Sequence, residues 1–215
     1  RFDGASLDVE PYLTGEWTQN KSMIKEHYLE MLRKCRELVD SYDEPFHIGA
    51  AIPMAYEQEE KIDGFESKVI GYLDYVALMA YYDTPKKVID SSVAHVELAG
   101  RLGRKVWIGA EIQDLVQMKQ GNRSNTFWEE GWVEMENVLG AVQDHFKGQA
   151  GYGGLAMHCY YAYKILQRDR NVPKKDRLPP EESAAPTLLS YRTDVPLTID
   201  GQLDDCDLTF RELDI

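Results

Sequence analysis

Apolar runs of strand length alternate with longer runs of helical spacing through most of this chain, and that order limits the fold more than any other feature. Phe2 to Val9, Phe46 to Ile52, Tyr75 to Ala80, Val106 to Ala110 and Gly154 to Cys159 read as strands. Between them Lys21 to Val39, Lys61 to Gly71, Val88 to Leu102 and Trp128 to Phe146 carry helical spacing, as in Met23, His27, Met31, Leu32 and Cys35. Strict alternation of this kind implies parallel strands with helices outside them. Near-continuous apolar strands such as Val76 to Met79 fit burial on both faces. An open doubly wound sheet and part of a (β/α)8 barrel both satisfy the order. The barrel is preferred, because polar residues gather at the strands' C-terminal ends and no glycine-rich nucleotide loop follows the first strand.

A whole barrel takes about 250 residues, so a pattern that stops near residue 166 is short by about three units. The chain is therefore expected to be a fragment, with the N-terminal half of the barrel upstream of Arg1. Residues 167–192, which include Pro173, Pro179, Pro180 and Pro186 among charges and small residues, read as a linker. The basic cluster from Lys164 to Arg177 is interrupted by acids and reads as solvated.

Composition narrows the partners. A formal charge of −13 argues against nucleic acid, whose phosphates would be repelled, and leaves neutral glycans compatible. No apolar run approaches the ~20 residues of a membrane-crossing helix. Cys35, Cys159 and Cys206 are far apart and have no histidine at ligand spacing, which points to neither a disulfide framework nor a metal site. No cofactor is expected.

The chemistry concentrates in the first strand. Ser6, Asp8 and Glu10 recur at every second position, so they share one face of a strand while Leu7 and Val9 share the other. Pro11 cannot extend the ladder, which sets Glu10 at or just past the strand's C-terminal lip. Two neighbouring carboxyl groups tend to split their proton affinities, one ionised and one protonated, and that is the equipment for cleaving a glycosidic bond.

Asp3-Gly4-Ala5-Ser6-Leu7-Asp8-Val9-Glu10 resembles the D-G-x-D-x-D-x-E strand-four signature of glycoside hydrolase family 18, the chitinases and endo-N-acetylglucosaminidases, with Ser6 in place of the middle aspartate. Val76 to Asp83 is similar to that family's strand-six M-x-Y-D segment, its aspartate one place late. Where the family ends strand eight with a tryptophan beneath the sugar, this chain has His158. The resemblance implies strands four to eight of a barrel, acid catalysis by Glu10, and Asp8 raising the proton affinity of Glu10 while orienting a 2-acetamido group for attack on the anomeric carbon. It assigns Tyr81 to hold the reacting group. It also implies an extracellular or periplasmic protein acting on an oligo- or polysaccharide, N-acetylated or neutral. Val195 to Asp205 resembles the I-D-G-x-L-D-D-W opening of family 9 carbohydrate-binding modules, so residues 193–215 read as the start of a β-sandwich.

Further candidates follow from position at strand ends. Asp83 and Tyr82 lie at the rim after the third strand, and Glu111 and Gln113 after the fourth. Glu111 reads equally as a second acid, a sugar-hydroxyl acceptor or a rim charge. Met54, Tyr56 and Glu57 follow the second strand, and Tyr12, Trp17, Trp128 and Trp132 are aromatics able to stack on sugars. Trp128 and Trp132, four apart, fit a helix core better. His158 reads either as a satisfied core histidine or as the floor of a sugar site. Two other functions fit the same residues: a sugar-binding barrel without catalysis, and an interaction scaffold completed by a partner.

Overall fold

Alternation within each apolar run governs the architecture. A computed structural model describes residues 3–168, and these form an α/β fold with one parallel sheet of five strands. The strands are β1 (Gly4–Leu7), β2 (His47–Pro53), β3 (Tyr75–Met79), β4 (Lys105–Glu111) and β5 (Tyr152–His158), and they lie side by side in chain order. The helices are α1 (Lys21–Asp40), α2 (Tyr56–Asp63), α3 (Phe65–Gly71), α4 (Pro85–Arg101), α5 (Trp132–Phe146) and α6 (Tyr160–Arg168).

Ile48, Ala50 and Ile52 of β2, Val76 and Leu78 of β3, and Val106, Ile108 and Ala110 of β4 are all buried. The first seven of these join Tyr28 and Leu32 of α1, Val69 and Ile70 of α3, and Val96 and Ala99 of α4 in the main core. A second core joins Ala110 and Ile112 to Met135, Val138 and Leu139 of α5 and to Ala162, Ile165 and Leu166 of α6. The intervening strand residues turn to the other face, where Ala77 and Met79 are half-buried and Trp107 is exposed. Near-continuous apolar strands thus do not mean equal burial on both faces among the described residues. Alanine and glycine fill much of the open face, and they read as apolar whichever way they point.

Backbone chemistry corrects several boundaries. β1 ends at Leu7, whose partner in β2 is Ala50, so Asp8 and Glu10 lie beyond the strand and not within it. The helix expected from Lys61 to Gly71 is two helices, broken at Gly64 with φ of 69°, a left-handed value that glycine adopts freely and that closes α2 through the bond from Gly64 N–H to the Glu60 carbonyl. α5 starts at Trp132 after Gly131, with φ of 82°, so Trp128 precedes the helix. α4 begins three residues earlier than expected, with Pro85 in its first turn after extended Thr84, where a missing N–H costs no intrahelical bond. Lys164 belongs to α6, whose Ala162, Ile165 and Leu166 are buried, and is not part of a solvated linker. Nearly all of the linker at 167–192, and the whole of the sandwich-like segment at 193–215, lie outside the described residues.

Candidate active site

The parallel strands deliver their last residues to one end of the sheet. After Leu7 the chain runs through Asp8 and Glu10 into a single turn of 3-10 helix, Pro11–Leu13, in which the Leu13 N–H donates to the Glu10 carbonyl at 3.0 Å. That turn sets Tyr12 beside Glu10, close enough for the two side chains to interact. Burial, then the neighbouring Glu10 carboxylate, hold the Tyr12 phenol well above its ordinary proton affinity.

Tyr81 follows β3 and is kept protonated by burial and then by the charges of Glu111, Asp8 and Glu10. Gly109 makes room for it, since a Cβ there would lie 3.2 Å from the Tyr81 ring and 2.7 Å from the Leu78 carbonyl. The long loop after β4 is anchored beside it by Asn125 Nδ2, which donates to the Tyr81 carbonyl at 2.9 Å. Thr126 Oγ1 donates to the Gln113 carbonyl at 2.6 Å, and Phe127 N–H to the Glu111 carbonyl at 2.9 Å, so the loop is held at both strand ends.

Glu10, Tyr12, Met54, Met79, Tyr81, Glu111 and Asn125 line one open cavity of about 660 Å³. No lysine or arginine is among the described residues that line it, and its charged groups are carboxylates. An anionic ligand would meet repulsion there, whereas a neutral one would meet phenols, carboxylates and an amide suited to hydroxyl groups.

Glu111 is 3% exposed and fully engaged. Its Oε1 accepts from the N–H groups of Ile112 and Gln113, both at 2.8 Å, and its Oε2 lies 2.8 Å from Nδ1 of His158. The sheet register creates this pair, because Glu111 and His158 are partners across β4 and β5. The bond to Glu111 raises the His158 proton affinity, burial opposes it, and the charges of Glu111, Asp8 and Glu10 add to the rise. His158 is an exposed residue whose ring lies 6.1 Å from that of Tyr81 with an angle of 18° between their planes. It is not a satisfied core histidine.

No protein family, curated protein or solved structure matches this chain.

The other candidate positions separate. Ser6 and Asp8 are exposed; Asp8 is near enough for its charge to act on Tyr12, Tyr81 and His158, but it does not line the cavity. Tyr56 is a correction: it is 1% exposed within α2, its ring set edge-on at 4.9 Å from Phe65, and it has no surface to offer a ligand. Asp83 is half-buried beside the start of α4, with one carboxylate oxygen buried and without a protein partner, and it is not among the cavity's lining residues. Gln113 contributes its backbone to Glu111 and its amide, at 3.2 Å, to His158. Trp17 packs on Phe65 and Trp132 on Tyr163, and Trp128 is buried in the second core, so these aromatics serve packing. Glu57 pairs with Lys61 along α2. Asn125 and Leu115, missed from the sequence, reach the cavity from the loop after β4; the only hint was the polar turn-forming stretch from Gly121 to Thr126. Among the described residues no group of three or more His, Cys, Asp or Glu is arranged to hold a metal, and no helix is long and apolar enough to cross a membrane.

Proposed function

We propose that this chain carries the C-terminal part of a (β/α)8 barrel that hydrolyses a glycosidic bond in an oligo- or polysaccharide, neutral or N-acetylated, with Glu10 as the acid that protonates the departing oxygen. The observation that carries the reading is the single cavity walled by Glu10, Tyr12, Tyr81 and Glu111 at the C-terminal ends of parallel strands, the end at which barrel enzymes work. Asp8, two residues before Glu10, is its assisting partner. Tyr12 stands beside Glu10 on the same cavity wall. The two phenols, the Asn125 region and the absence of basic lining suit a polyhydroxylated, uncharged ligand. The compartment that fits such a substrate is extracellular or periplasmic.

Because both oxygens of Glu111 have partners, we read it as a support for His158 and not as the second catalytic carboxylate. A barrel that binds sugar without cleaving it is the second reading, and the exposure of Asp8, off the cavity wall, favours it. Incubating the full-length protein that contains this chain with a panel of N-acetylated and 2-hydroxy oligosaccharides, chitotetraose and cellotetraose included, and measuring new reducing ends separates the two. Cleavage by the wild type that Glu10→Gln abolishes supports the hydrolase; binding without cleavage supports the sugar-binding reading; full activity in Glu10→Gln removes the site from Glu10.

A further inference from the structure

Cleavage by direct attack of water needs one group to give a proton to the departing oxygen and a second to take one from the incoming water, where a retaining route uses the same acid for both. At this end of the sheet the proton acceptor can be found by elimination. Tyr12 and Tyr81 hold their protons too firmly to act as bases near neutrality. Glu111 has no free oxygen, since Oε1 takes two backbone N–H groups and Oε2 faces His158. Asp8 follows the same strand as Glu10, on the acid's side of the site. At the end of β5 stands His158, which does not itself line the cavity but adjoins two residues that do, Glu111 at 2.8 Å and the Tyr81 ring at 6.1 Å.

We propose that His158, oriented by Glu111, is the general base of this site, taking a proton at Nε2 from a water that attacks the anomeric carbon directly. The role rests on the glycosidase reading of the same cavity. Its geometric basis is the tautomer. Oε1 already accepts two N–H groups, and a carboxylate oxygen only accepts, so Oε2 calls for a donor and the proton of the neutral ring sits on Nδ1. The lone pair is then on Nε2, for which no protein hydrogen bond is found among the described residues, and about half of the side chain is open to water, with 53% exposed. A buried carboxylate that sets the tautomer of an imidazole base and stabilises the cation formed is a recurring device of hydrolases. The Tyr81 ring lies nearly parallel to the imidazole at 6.1 Å. The Gln113 carboxamide also stands at Nδ1, 3.2 Å away, and with the proton on Nδ1 it must turn its oxygen and not its NH2 toward the ring.

The step balances. The water oxygen bonds to the anomeric carbon as the bond to the leaving oxygen breaks; the leaving oxygen takes the proton of Glu10, and Nε2 takes one from the water. Glu111 offsets the imidazolium charge, and exchange with solvent then deprotonates His158 and reprotonates Glu10. One water is consumed, and the sugar is released with inverted configuration. The groups facing the imidazole are Glu111 from β4, Asp8 and Glu10 from beyond β1, Tyr81 from beyond β3 and Gln113 from the loop after β4, and all three carboxylates act to keep its proton on. Activity as a base therefore rises with pH above the ordinary histidine range of about 6.5.

The test uses the full-length protein that contains this chain, with the oligosaccharide panel, reading the configuration of the newly released end by proton NMR before it mutarotates. Inversion is expected; retention overturns the proposal. His158→Gln, at an exposed position that does not threaten folding, is expected to lower kcat by ~10²- to 10⁴-fold with KM little changed and to remove the acidic limb of the pH profile. Glu111→Gln is expected to move that limb to lower pH. Nitrogen-15 NMR of the neutral His158 ring gives a readout without substrate: a proton on Nδ1 supports the proposal and a proton on Nε2 overturns it. Cleavage abolished by Glu10→Gln and untouched by His158→Gln overturns the base alone and leaves the hydrolase. A wild type that cleaves nothing in the panel while binding its sugars overturns the hydrolase, and the base with it.

Discussion

Nδ1 of His158 lies 2.8 Å from Oε2 of Glu111, at a rung of the ladder between β4 and β5 where the two residues are direct partners. The carboxylate is buried and the imidazole is exposed, so the pair joins the sheet interior to the site.

This pairing makes stability depend on pH. The folded-state proton affinity of His158 is raised, first by the Glu111 hydrogen bond. Its contribution is fully present below the ordinary unfolded value of about 6.5 and is lost as pH rises through the raised folded value. Thermal melts of the wild type and His158→Gln across that range should give a difference in Tm that favours the wild type on the acidic side and shrinks as pH rises. A constant difference would count against a charged pair.

Glu10→Gln preserves shape and removes the transferable proton. Hydrolysis should fall by ~10²- to 10⁴-fold in kcat with sugar affinity nearly unchanged, as measured by initial rates and calorimetry on the same preparation.

The tether from Asn125 to the Tyr81 carbonyl is a single hydrogen bond at 2.9 Å, so Asn125→Ala should cost about 0.5–1.5 kcal/mol. The loop would be freed near the cavity it lines, which predicts a higher KM alongside the lower stability. Denaturant melts and substrate saturation curves check the two effects separately.

Glycines in this sheet differ in what a methyl group would meet. At Gly151 an added Cβ would lie 1.9 Å from the Val96 carbonyl oxygen and 2.6 Å from Gly100 N, both backbone atoms of α4, so relief requires moving a helix. At Gly49 it would lie 2.3 Å from the half-buried Tyr75 ring, which can turn aside. Gly151→Ala should therefore lose at least ~1–3 kcal/mol and Gly49→Ala less, in a comparison of denaturant midpoints.

The strands were legible because Ile48 and Ile52, or Val76 and Leu78, are β-formers bounded by turn residues, and their alternation with helices implied parallel pairing. The loop between β4 and α5 was not, because Trp128 and Trp132 imitate a helical repeat that the positive φ of Gly131 interrupts. The helix α6 was hidden because Tyr160, Tyr161 and Tyr163 have no strong helical preference, and burial of Ile165 and Leu166 against the second core decides the matter. At the site, Glu10, Tyr81 and Glu111 stood out through their positions at strand ends. The partnership of Glu111 with His158 did not, since it depends on β4 and β5 being neighbours in a register interrupted between Val106 and Trp107, and chain order carries no trace of that shift.

That irregularity also has an optical consequence. Trp107 lies over Gly153 and Gly154, where a Cβ at either position would approach its indole within about 3 Å, and yet 40% of the residue remains exposed on the open face of the sheet. Trp17 and Trp132 are half-buried and Trp128 is buried, so iodide in solution should quench Trp107 ahead of the others. Anything that comes to rest on that face would shift its emission to the blue and shield it from the quencher, which makes Trp107 a built-in fluorescent gauge of whether the sheet is covered.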